Sequence, residues 1–114
     1  MNEVALDELR AAVERLLRQV MHWTPSRWGA ASRVSGVSRA QLVHGLVQRL
    51  ADLGADAERA PRRAVPRLDN DLALPDQLTV VALDLLRTAP TPSQLAAAHT
   101  AVADTHSNLT PILD

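Results

Sequence analysis

The sequence predicts an all-α protein: an antiparallel bundle of four main helices with a short extra helix after the first. Three observations predict it. Apolar residues recur at spacings of three and four along most of the chain. Three separate helix starts share one grammar, a Ser or Thr cap followed by proline, by glutamine three residues on, or by both. The chain is 46% hydrophobic but only 2% aromatic, so its core must be tight packing of Leu, Val and Ala between helices. At 114 residues it is expected to form a single domain over its whole length.

The first helix is expected over about 3–22, where Leu6, Leu9, Val13, Leu16, Leu17 and Val20 form one stripe. Glu14 and Arg18 sit on its outer face at i, i+4 in the favourable order. The stretch "HWTPSRW" follows and holds both tryptophans of a chain with no Phe or Tyr. Thr24 is a good N-cap and Pro25 suits the first helical position, which puts Trp23 at N′ and Trp28 at N4. Side chains at those positions form a hydrophobic staple, so the tryptophans are expected to clasp a corner before a short helix over about 25–34. In "VSRAQL", Ser38 caps, Gln41 completes a capping box, and Val37 staples to Leu42. The helix that follows spans about 39–53, with Leu42, Val43, Leu46, Val47, Leu50 and Leu53 inward and Gly54 as its stop.

Residues 55–74 hold prolines among Arg59, Arg62, Arg63 and Arg67 and read as an extended connection across the bundle surface. Connections of that length are uncommon in small domains and are often functional. "LPDQLTVVALDLLRTA" gives a helix over about 75–88 whose apolar residues run almost all the way round. Such a helix needs cover on every side, either from the long connection or from a second subunit. In "PTPSQL", Thr91 caps, Pro92 takes N1, Gln94 is the box partner and Pro90 faces Leu95. The last helix, about 92–107, has a narrower seam of Leu95, His99, Val102, His106 and Leu109.

Formal net charge is −1, and all twelve basic residues are arginine. The charge is unevenly spread: residues 27–67 carry eight Arg against three acids (+5), and residues 68–114 one Arg against six acids (−5). The two parts are expected to complement each other in the fold, or the first to offer a basic face to an acidic protein or nucleic acid. Without cysteine there can be no disulfide, thiolate metal site or Cys nucleophile. No apolar run approaches a membrane span, and the acidic, amphipathic "MNEVALDELR" is unlike a signal peptide, so a cytoplasmic location is expected.

His99 and His106 lie seven residues apart, about 10.5 Å along a helix axis, whereas paired metal ligands on one helix sit at i, i+3 or i, i+4. They are read as structural or interface residues, and no metal or cofactor is expected. "DNDLALPD" lacks the glycine and ligand alternation of a calcium loop. There is no Gly-rich phosphate loop, no G-x-S-x-G, and no Lys or Tyr, while Ser26, Ser38 and Ser93 are accounted for by helix starts. An enzyme is not expected.

Two stretches resemble known families. "TPSRW" followed by "AQLVHGLVQRL" is similar, over about 25 residues, to the start of the four-helix, metal-dependent DinB and maleylpyruvate-isomerase domains, although no ligand triad maps onto this chain. The resemblance implies a metal-binding four-helix protein. "SGVSRAQLV" resembles the turn and recognition-helix start of helix-turn-helix regulators, with Gly36, Val37 and Leu42 at the glycine and apolar positions. Gly45 departs from the apolar residue expected there, and Ala31 is small for its position. That resemblance implies DNA binding through about 31–50, with phosphate contacts from the basic segment. The preferred expectation is a small interaction or scaffold protein, self-associating as a homodimer through the helix at 75–88 or the one at 92–107. His99 and His106 would lie in the contact, and Arg59, Arg62, Arg63 and Arg67 would face any acidic partner.

Overall fold

Each cap foreseen at a helix start is formed. The Arg27 N–H donates to Thr24 Oγ1 at 3.3 Å. Ser38 and Gln41 exchange both bonds of a capping box, at 3.1 and 2.8 Å, and Thr91 and Gln94 do the same at 3.1 and 2.8 Å. In the computed structural model, which describes residues 3–109, these starts delimit α1 (Glu3–Val20), α2 (Pro25–Trp28), α3 (Arg39–Glu58), α4 (Leu74–Arg87) and α5 (Pro92–Leu109). A 3₁₀ turn, Asp71–Ala73, leads into α4.

Three boundaries differ from the sequence reading, each for a tertiary reason. The short helix is one turn, not the ten residues of 25–34. After Gly29 the chain turns back instead, and Ala31 pairs with Ser38 in an isolated antiparallel bridge. Gly36, at φ +78°, supplies the left-handed backbone this reversal needs, and Arg33 N–H ties the loop to the Asn108 carbonyl of α5 at 3.0 Å. Gly54 does not stop α3. It is buried where α3 passes α4, with Leu85 Cα about 4.0 Å from where its Cβ would stand, and the helix runs four residues further. The extended connection therefore starts at Arg59, a left-handed C-cap at φ +57°, and ends at Asn70 rather than covering 55–74.

α1 and α3 each pack against both α4 and α5, so they lie across the core from one another. Leu9, Leu16 and Val20 of α1, Val43, Val47 and Leu50 of α3, Leu74, Leu78 and Leu85 of α4, and Leu95, Val102 and Leu109 of α5 meet there, each at most 2% exposed. Burying one such side chain contributes about 1.5–3 kcal/mol, so this aliphatic set carries the fold without large rings. The tryptophans close one corner. Their rings meet edge to face, centroids 5.0 Å apart at 71°, with Trp28 fully buried. The Arg39 and Arg27 guanidinium groups lie 5.1 and 5.8 Å from the Trp23 ring centre, joining the start of α3 to the same corner.

Candidate interaction surface

The extended arm, residues 59–70, is held down by side chains of α3. Gln48 behaves like a residue of a neighbouring strand: its amide donates to the Arg63 carbonyl at 3.0 Å and accepts from the Val65 N–H at 2.7 Å. His44 Nε2 meets the Val65 carbonyl at 2.9 Å, and Gln77 of α4 donates to the Pro66 carbonyl at 3.1 Å. His44 lies on the flank of α3 beside its buried stripe. That flank is where the arm docks, and His44 is half-buried under it. Val65 packs on the core edge, and a groove of about 590 Å³ opens between the arm, α3 and α4, lined by Ala51, Gly54, Ala64, Val65, Val81 and Asp84 among others.

The four arm arginines are all exposed, but they do not share one fate. Arg62 grips Asp56 through two bonds, Nε to Oδ1 at 3.0 Å and Nη2 to Oδ2 at 2.7 Å. That hydrogen bonding, reinforced by the guanidinium charge, holds the Asp56 carboxyl below its usual range and raises Arg62 above its own. Arg67 pairs with Asp71 at 2.8 Å. Arg59 and Arg63 make no ion pair among the described residues. Half of the basic cluster is thus neutralised by nearby acids, one of them in the −5 segment.

α5 spends its apolar seam inside the bundle, where Leu95, Val102 and Leu109 are buried. His99 and His106 are half-buried beside that seam. They line one groove of about 290 Å³ against α1, with Ala12 and Arg15 opposite and Val102 between them. His99 also borders a neighbouring groove with Ala5 and Glu8. The structure therefore brings the two histidines together with Arg15, a neighbour that the one-helix view could not supply. Among the described residues, no group of three or more His, Asp or Glu could hold a metal ion.

α4 keeps an apolar surplus. Leu74, Leu78, Ala82 and Leu85 face the core, and Val81 and Leu86 are half-buried against its edge. Val80 and Leu83, on the side opposite the core, are 57% and 43% exposed. Asp76 and Arg87 are exposed on the same side, one turn beyond them in each direction. The long connection thus covers one flank of α4 and leaves the outer face open.

Among the described residues, the helix that would precede α3 in a helix-turn-helix pair is a single turn. α2 has four residues, residues 29–38 separate it from α3, and Gln41 is committed to its capping box. No helix among the described residues is long and apolar enough to cross a membrane. No family model matches the chain, and no curated protein or solved structure is significantly similar to it.

Proposed function

We propose that this chain is a small, non-enzymatic helical interaction protein that self-associates through the outer face of α4. One observation carries the reading: Val80 and Leu83 stand adjacent and uncovered on a helix whose other apolar residues are all in contact with the core. An exposed aliphatic pair on a regular helix is a ready site for packing against another helix. Two 14-residue helices about 21 Å long bury a small area, so the association is weak and sensitive to concentration. Sedimentation of the untagged protein from ~10 µM to ~1 mM tests it. Rising average mass is expected, and Val80→Glu with Leu83→Glu should restore the monomer at unchanged helix content. A wild-type monomer throughout the range would refute the proposal.

A second reading rests on Arg59 and Arg63, exposed and without an ion pair among the described residues. An acidic protein or nucleic acid would dock on the arm at those two positions. Retention on DNA or on an acidic protein at ~50 mM salt, lost in Arg59→Gln/Arg63→Gln, is the expected outcome, and no retention by the wild type removes the reading.

A further inference from the structure

We infer that the surface receiving α4 is the α4 of a second copy, running antiparallel about a two-fold axis centred between residues 81 and 82. The inference rests on the self-association proposed above and adds its geometry. The exposed strip reads Asp76, Val80, Leu83, Arg87, with gaps of four, three and four residues. At 100° per residue these four positions fall within about 60° of one another on the helix, so they form one straight strip. The spacing is the same from either end, and the charge inverts: acid, aliphatic, aliphatic, base.

That pattern is self-complementary in one orientation only. In an antiparallel pair related by a two-fold axis, residue 76 faces 87 of the partner helix and 80 faces 83. Each Asp76 then meets an Arg87 at both ends of the contact, and each Val80 packs on a Leu83 at its centre. In a parallel pair, aspartate would face aspartate and arginine would face arginine. Like charges placed opposite each other select against that arrangement. A two-fold contact must be self-complementary in this way, because one patch serves both sides.

Two further observations agree. Neither Asp76 nor Arg87 has an ion pair among the described residues, so both charges are available. They occupy the first and last turns of α4, and the antiparallel arrangement sets each helix end against the opposite end of the other dipole.

Charge exchange tests the register. Asp76→Arg and Arg87→Asp should each weaken the homodimer about tenfold or more, because each turns two attractive pairs into repulsive ones. The double exchange in one chain should restore it. Mixing the two single variants should give a heterodimer, in which arginines on one chain face aspartates on the other. Rescue by either route separates lost pairing from damage to the helix itself. Single variants that dimerise like the wild type, or weakened singles that neither route rescues, would overturn the antiparallel register while leaving self-association intact. A monomeric wild type would instead overturn the self-association on which the register rests.

Discussion

The corner before α3 and the arm after it are both irregular connections on the bundle surface, yet they are held in opposite ways. The corner is closed mostly by its own residues, with one distant tie from Arg33 to the Asn108 carbonyl of α5. Trp23 packs on Trp28, Thr24 caps α2, Ser38 caps α3, and Arg39 N–H returns to the Ala30 carbonyl at 2.9 Å. The arm is held by residues far away in sequence. Gln48 reaches Arg63 and Val65, fifteen and seventeen positions on, and His44 reaches Val65 across twenty-one. A connection that folds on local rules gives a rigid joint. One that depends on a few side-chain amides gives a cover that can be loosened without unfolding the bundle.

Breaking the corner should have the largest effect. Trp28→Ala removes a fully buried ring from the corner where α2 meets α3 and the 3₁₀ turn, and should cost about 3–5 kcal/mol in denaturant unfolding. A loss under ~1 kcal/mol would show that the corner is not a structural joint. Breaking the arm should do less. Gln48→Ala deletes the bonds to Arg63 and Val65 and should cost roughly 1–2 kcal/mol. Its signature is local: amide exchange at Val65 should speed up while the tryptophan environment is unchanged. If both regions loosen together, the two connections are not independent.

Glycine substitution sharpens the contrast in the helix between them. Gly45 lies on the exposed face of α3 with open space around it, so Gly45→Ala should stabilise by about 0.5–1 kcal/mol through helix propensity alone. A lowered melting temperature would mean that something approaches this face. The smallest effect is expected at the base of the arm. The Asp56 carboxyl is lowered in the fold from its ordinary 3.8 by its bonds to Arg62. The pair's contribution is therefore complete above about pH 4 and fades as acid carries the solution through the folded value. Asp56→Asn should flatten that part of the melting profile between pH 6 and pH 2.5. Identical profiles for variant and wild type would show that the pair contributes nothing.

The same contrast explains what could be read from the residues. The caps at Thr24, Ser38 and Thr91 and the tryptophan staple were legible because every partner lies within five positions. Gly54 carried a local stop signal that packing on Leu85 of α4 overrode, and Gly29 ended α2 early because the loop could pair across the Ala31–Ser38 bridge. On α4 the surplus of apolar residues was plain from their periodicity. Which of them would face outward was not, since that depends on where α1, α3 and the arm lie. The meeting of His99 and His106 with Arg15 in one groove also required the tertiary structure, because Arg15 lies more than eighty residues before either histidine along the chain.

Cross-linking tests the central claim, an antiparallel α4 pair, most directly, and the chain has no cysteine to interfere. Asp76→Cys and Arg87→Cys variants, mixed at ~0.5 mM and oxidised mildly, should form a disulfide between position 76 of one copy and 87 of the other. Asp76→Cys alone should stay largely uncoupled, because its two sulfurs would lie eleven residues apart along the paired helices, about 16 Å. Efficient coupling of Asp76→Cys to itself, with no preference for the mixture, would contradict the antiparallel pair.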